Sequence, residues 1–221
     1  MDFTILIGTC DKYSYLWNNF LKLFNKYWDD DIIVDKYFNS ETLICKDNKF
    51  KTFTPGKIPY SDCVKYGLNN ITTPYVLWLQ DDYFFRRKIS KQTFKKYFEY
   101  IEKYNIDRLG ICNMSKYYTT QKIEDNLYKF KQNSQYTISL QPSIWKTEFF
   151  KSCLPNGKKE NPWQFEVDGS RRLNKKPHNI YFIKQDSPWY LEAVHKGSFT
   201  TDYHKIIKQE KLKHNGKINK T

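Results

Sequence analysis

Two adjacent carboxylates, Asp81 and Asp82, close an apolar run formed by Val76, Leu77, Trp78 and Leu79 after Pro74. Such a run, following a proline and ending in polar residues, suits a strand buried on both faces. Carboxylates at the C-terminal end of a buried strand stand where open α/β sheets take their ligands. Neighbours on an extended chain point to opposite sides, so Gln80 and Asp82 share one side and Asp81 takes the other. One carboxylate could hold a hard cation that bridges two phosphates while the other accepts hydrogen bonds from a sugar hydroxyl. A solvated turn after a core strand accounts for the pair equally well.

A second candidate lies farther along. Asn161-Pro162 opens a helix with an N-cap residue and a proline at its first position, and Trp163, Glu166 and Ser170 share one face of it. A carboxylate held beside a tryptophan has its proton affinity raised by desolvation, as a general base requires. A surface glutamate favoured by the helix dipole shows the same spacing. Arg171 and Arg172 end that helix, where they can meet phosphates or the helix's own carbonyls. His195-Lys196-Gly197 ends the last expected strand; a lone histidine there is more often structural than a ligand.

The elements that must position these groups alternate between strand and helix. Residues 3–9 are apolar and β-rich, and Leu16, Phe20, Leu23, Phe24 and Tyr27 then recur at helical spacing. Ile32-Ile33-Val34 predicts a second strand closing on Asp35. Strand, helix, strand opens a parallel sheet with a right-handed crossover, so the loop after strand one, Asp35 and the acidic pair are expected at one sheet edge. Residues 43–54 predict an exposed strand or ribbon, and Ser61 a cap for a helix carrying Val64, Leu68 and Ile71. Phe94, Tyr97, Phe98, Ile101 and Tyr104 form a core-packing helical stripe, and residues 109–114 a strand. Residues 115–133 show no period and are expected as a surface excursion or a flap facing an acceptor. Residues 136–140 read as a strand that turns at Gln141-Pro142-Ser143 into a short helix with Trp145, Phe149 and Phe150. Two more strands are expected at 180–183 and 189–194.

Composition bounds the class. The 221 residues can bury one sizeable core, and 18% aromatic with 28% charged residues describes a globular chain. No apolar run approaches a membrane span, and the N-terminal apolar segment lacks a preceding basic region, so a cytoplasmic location is expected, or a host's cytoplasm for a virus-encoded chain. Five scattered cysteines without zinc-ligand spacing point to reduced thiols. The net charge of +13, from 37 basic and 24 acidic residues, favours polyanionic partners, though a lysine-heavy solvated surface explains it as well. Its densest stretch is a basic tail after Asp202.

With these residues in view, the sequence resembles the nucleotide-sugar glycosyltransferases of the GT-A fold, nearest the small inverting enzymes and similar to bacterial and viral transferases that build surface glycans. The carriers are Thr4-Ile5-Leu6-Ile7-Gly8-Thr9-Cys10-Asp11-Lys12-Tyr13, Asp31-Ile32-Ile33-Val34-Asp35 and Val76-Leu77-Trp78-Leu79-Gln80-Asp81-Asp82. A weaker resemblance joins Gln141-Pro142-Ser143-Ile144-Trp145 to Asn161-Pro162-Trp163-Gln164-Phe165-Glu166. The chain departs from the family's Asp-x-Asp in carrying Gln80 at the first position, which leaves the cation fewer carboxylates.

The resemblance implies a single α/β domain over residues 1–204, with a mostly parallel sheet, a nucleotide-binding half to about residue 114, an acceptor half from 115, and a basic tail from 205 to 221. It implies transfer of a sugar from a nucleoside-diphosphate sugar, UDP-linked by preference, to a hydroxyl of a glycan or glycoconjugate, with inversion. Thr9, Asp11, Tyr13 and Asp35 would hold base and ribose, Asp81 the ribose, and Asp82, with His195 as a further ligand, a manganese or magnesium ion on the diphosphate. Arg171, Arg172 and Lys196 would close over the diphosphate. Glu166 would be the base, with Asp168 in reserve, and Trp163 would stack on a sugar face, whereas Trp145 is expected in the core. A basic, aromatic-rich nucleic-acid-binding protein without catalysis is the alternative; it explains the charge and leaves the acidic strand end unexplained. No nucleic acid is expected as partner otherwise, beyond contact of the tail with an anionic surface.

Overall fold

The computed structural model describes residues 1–112, 120–134, 136–185 and 188–214. In chain order the strands are β1 (Phe3–Gly8), β2 (Lys36–Asn39), β3 (Lys51–Phe53), β4 (Tyr75–Gln80), β5 (Tyr83–Phe85), β6 (Arg108–Gly110), β7 (Thr120–Lys122) and β8 (Leu127–Phe130). They continue as β9 (Ser143–Lys146), β10 (Ile180–Ile183), β11 (Tyr190–Glu192), β12 (Val194–His195) and β13 (Ser198–Phe199). The helices are α1 (Trp17–Tyr27), α2 (Tyr60–Asn69), α3 (Lys91–Lys103), α4 (Thr147–Cys153), α5 (Pro162–Leu173) and α6 (Thr201–Gln209).

Among the described residues, nine strands form one mixed sheet in the order β3-β2-β1-β4-β9-β6-β10-β8-β7. The first four run parallel, β9 runs antiparallel between β4 and β6, and β6 pairs parallel with β10. The fold is thus α/β with parallel core strands and flanking helices, as the strand-helix alternation predicts. β1 is buried at every position and β4 at Val76, Leu77, Trp78 and Leu79, the signature of strands covered on both faces. Trp78 fills the space that a side chain on Gly8 would need: a Cβ there would lie 2.3 Å from the indole ring. Trp78 meets Phe150 edge-on, and Trp145 stacks on Phe150 at 4.3 Å, so Trp145 belongs to the core as expected.

Several elements differ from expectation. β2 begins after the apolar triplet: the ladder starts where the Ile5 N–H donates to the Asp35 carbonyl, and Ile5 pairs with Lys36. Ile33 is 92% exposed, while Phe38 is fully buried and carries the strand's core contact. Of residues 43–54 only β3 is a strand, parallel at the sheet's edge. Ser61 lies inside the first turn of α2 and bonds the Glu160 N–H instead of capping. The expected excursion is in part the β7–β8 hairpin, which extends the far end of the sheet; residues 113–119 lie outside the described residues. Residues 137–142 are a buried loop, because side chains of neighbouring elements take its backbone groups, and Trp145 sits in a strand ahead of α4. The expected boundary at residue 204 falls inside α6, which buries Tyr203, Ile206 and Ile207. Lys217 and Lys220 of the expected tail lie outside the described residues. No described helix is long and apolar enough to cross a membrane.

Candidate active site

The strand register builds the site. Gly8 pairs with Gln80 across β1 and β4, so the next residues, Thr9 and Asp81, emerge side by side at the C-terminal edge. The Thr9 hydroxyl and the Trp17 indole N–H, the latter at 3.0 Å, both donate to Asp81 Oδ2. Asp81 is 4% exposed, and burial pushes its carboxyl up to about 7 against the pull of those two donors. Burial, then the neighbouring Asp81 and Glu192 charges, raise Asp82 well above the carboxylate range. Asp82 Oδ1 is buried and finds no hydrogen-bond partner among the described residues.

A cleft of about 370 Å³ opens over this pair, walled by Thr9, Tyr13, Glu41, Tyr60, Asp82 and Pro162 among others. The Tyr60 hydroxyl is a second buried polar atom in the wall without a partner among the described residues. Orphaned polar atoms are rare in folded chains and mark places where a ligand completes the bonding. A magnesium or manganese ion is held by one or two carboxylates together with substrate phosphates and water, so the free oxygen of Asp82 fits such an ion. Among the described residues, no three His, Cys, Asp or Glu side chains gather as a metal site of their own. An ion here would therefore depend on oxygens of a bound ligand.

The other expected residues divide. Asp11 does not line the cleft: its carboxylate takes the Thr42 N–H at 3.0 Å, the Thr42 hydroxyl at 2.5 Å and the Leu43 N–H at 3.1 Å, and so ties the Thr9 loop to the loop after β2. Asp35 stands at the opposite, N-terminal end of β2 in an exposed ion pair with Lys51, because the strand starts later than the apolar triplet suggested. The acidic residue that β2 delivers to the cleft is Glu41, held by the Asp11 N–H at 3.0 Å.

On α5, Pro162 joins the cleft wall, whereas Glu166 is not among the residues that line it. Glu166 Oε1 accepts the Leu140 N–H at 2.7 Å, and its charge acts on Tyr60. Burial raises the Glu166 carboxyl, and the Leu140 N–H and the Arg108 charge pull it back only in part. Asp168 faces away, bonded to Lys158 at 2.8 Å and Arg171 at 3.0 Å, and the Lys158 bond outweighs its slight burial to hold it below the usual range. It lines a separate groove with Trp163, which is 64% exposed. Arg172 is not brought to the cleft either: it grips the buried Glu160 at 2.6 and 3.0 Å and the Cys153 carbonyl at 3.1 Å. His195 and Lys196 stand on the exposed β12–β13 hairpin, with His195 Nδ1 3.0 Å from Glu192. That hairpin adjoins the acidic pair, since the Ala193 N–H donates to the Asp82 carbonyl at 2.7 Å.

Sequence reasoning missed Trp17, Glu41 and Tyr60. Trp17 carried no signal beyond its place at the start of an amphipathic helix. Glu41 was hidden by the misplaced strand, and Tyr60 by the helix cap assigned two residues later, at Ser61 and not Pro59.

The sequence matches no protein-family profile and no curated protein. Solved structures share the fold at low identity. TarS of S. aureus is 15% identical with a TM-score of 0.57, over 95% of this chain and 39% of that one. A shorter form of TarS in complex with UDP is 14% identical at 0.56, over 94% and 64%. The mannosyltransferase PcManGT of Pyrobaculum calidifontis, in complex with GDP-Man and Mn2+, is 10% identical at 0.54, over 89% and 58%. This chain thus spans less than two thirds of each of those chains, and its fold is GT-A-like.

Proposed function

We propose that this chain is a glycosyltransferase that moves a sugar from a nucleoside-diphosphate sugar to a hydroxyl of a glycan or glycoconjugate, with inversion and with a divalent cation. The observation that carries this is the C-terminal edge of β1 and β4, where Thr9, Trp17 and Asp81 are bonded together beside an Asp82 oxygen that lacks a partner among the described residues. The bound nucleotides and manganese of the two fold relatives support the same assignment.

In this account the cleft takes the nucleotide, with Thr9, Tyr13 and Glu41 on the base and ribose and Asp81 accepting from a ribose hydroxyl. Asp82 holds the cation, and His195 and Lys196 approach the diphosphate from their hairpin. The cation, when bound, neutralises the charge of the leaving nucleoside diphosphate. Glu166 takes the proton of the acceptor hydroxyl, reached past Tyr60 from the α5 side. A carboxylate with raised proton affinity suits that task, since a base works best with a pKa near the operating pH. Asp168 does not, being held ionised by two cations. Trp163 offers a flat apolar face for a sugar ring of the acceptor.

Phosphorus NMR of UDP- and GDP-sugars incubated with the protein and manganese tests this. Release of nucleoside diphosphate from at least one donor is expected; a panel left intact, with and without added oligosaccharides, would rule the assignment out.

A further inference from the structure

Arg108, the first residue of β6, is fully buried, and among the described residues no carboxylate is in ion-pair contact with it. A buried cation is costly unless its donors are met; here the two terminal nitrogens donate into residues 137–143, while Nε finds no partner among the described residues. Nη2 donates to the Ser139 carbonyl at 2.9 Å and to the Ser143 hydroxyl at 3.2 Å, while the guanidinium lies 5.0 Å over the Trp145 ring. The peptide that joins Ser139 to Leu140 is then engaged from both ends. Its carbonyl accepts from Arg108, and its N–H donates to Glu166 Oε1 at 2.7 Å. Cation, peptide dipole and carboxylate stand in series, each bond polarising the next. Ser170, one turn on from Glu166, clamps the same loop through the Ile138 N–H at 2.9 Å.

We propose that Arg108 is a positioning residue for Glu166, which through the Ser139–Leu140 peptide keeps that carboxylate oriented and ionised in a buried setting. The proposal rests on Glu166 being the base. Among the described residues, the titratable groups that face Glu166 are Tyr60 from α2, Tyr83 from β5, and Arg108 and Cys112 on and after β6; residues 137–143 contribute none. Burial raises both tyrosines well above their ordinary range and Cys112 to about 11, so Arg108 alone among them carries charge near neutrality. Without it, burial acts on Glu166 with less opposition and the carboxyl holds its proton to higher pH. A base works ionised, so the acid limb of activity moves up with it.

The test reads Glu166 directly, by carboxyl-carbon NMR of glutamate-labelled protein, with the resonance assigned by its absence from Glu166→Gln. The midpoint is expected to rise by about one pH unit or more in Arg108→Gln, and to stay close to wild type in Arg108→Lys, which keeps the charge. In wild type, the Leu140 amide and Arg108 guanidinium protons are expected to shift at the Glu166 midpoint, a readout that needs no variant if Arg108→Gln fails to fold. An unmoved midpoint in folded Arg108→Gln, or Leu140 and Arg108 protons blind to the Glu166 titration, overturns the proposal. In turnover, the acid limb of kcat/KM follows the same order, whereas a merely structural arginine lowers activity at every pH alike. A wild-type protein without sugar transfer would count against Glu166 as base and leave the NMR result to decide on Arg108.

Discussion

Asp81→Asn should make the protein more stable at pH 8 while weakening its hold on a nucleotide. Burial lifts the Asp81 carboxyl from an ordinary 3.8 to about 7. A carboxylate raised on folding binds its proton more tightly in the native state, so stability falls as pH rises from about 4 to 7 and stays low above. At about 1.4 kcal/mol per pH unit, a rise of roughly three units makes the ionised side chain cost about 4 kcal/mol at pH 8. Asparagine keeps an oxygen for the Thr9 hydroxyl and the Trp17 N–H but brings an amide nitrogen without an acceptor, worth about 1–3 kcal/mol against it. The balance is a gain of about 1–3 kcal/mol at pH 8, or roughly 2–12 °C in Tm for a chain of this size. Relief of the Asp81 charge on Asp82 adds in the same direction. Near pH 5 the wild-type carboxyl is mostly protonated and the advantage should vanish. Scanning calorimetry of both proteins from pH 5 to 8 measures it. A Tm difference that is flat with pH, or a variant less stable at pH 8, would refute the argument that Asp81 is buried at a cost to the fold.

Three further substitutions separate roles. Glu166→Gln should abolish transfer and retain nucleotide binding by calorimetry; lost nucleotide affinity would remove Glu166 from the base role. Gly8→Ala should destabilise by about 1–3 kcal/mol or more in urea titration, since its Cβ would intrude on the buried Trp78 ring; an unchanged midpoint would mean that the ring moves aside freely. Arg172→Ala should cost about 1–3 kcal/mol, because the fully buried Glu160 loses its two close bonds and keeps only Lys158 at 3.7 Å, while nucleotide affinity of the folded protein stays the same. Weakened nucleotide binding there would return Arg172 to the diphosphate.

The strand that carries the acidic pair was legible because burial on both faces leaves an uninterrupted apolar run, and its register with β1 makes Thr9 and Asp81 neighbours. The N-terminus of α5 was legible for another reason: Asn161 and Gln164 form a capping box, with Pro162 at the first helical position, and that chemistry is local. β2 was misplaced because an apolar triplet is a weak guide beside one aromatic: Phe38 in the core decides the register, while Ile33 is left in solvent. Asp35 fell with that error and Glu41 was missed by it. Of the arginines ending α5, Arg171 pairs with Asp168 one turn back on the same helix, whereas Arg172 could not be assigned from sequence, since its partner Glu160 lies outside the helix. The loop at residues 137–142 looked like a strand because Ile138 and Leu140 are buried, yet its backbone is bonded by Arg108 from β6 and by Glu166 and Ser170 from α5, two distant places in the chain.

The central claim is a cation seated on Asp82 beside a bound nucleotide, and calorimetric titration of UDP and GDP into wild type and Asp82→Ala, each with and without manganese, tests it most directly. Tight binding by wild type only with manganese, and its loss in a well-folded Asp82→Ala, is the predicted result. Nucleotide binding that ignores both the metal and the substitution, or no binding under any condition, would contradict it.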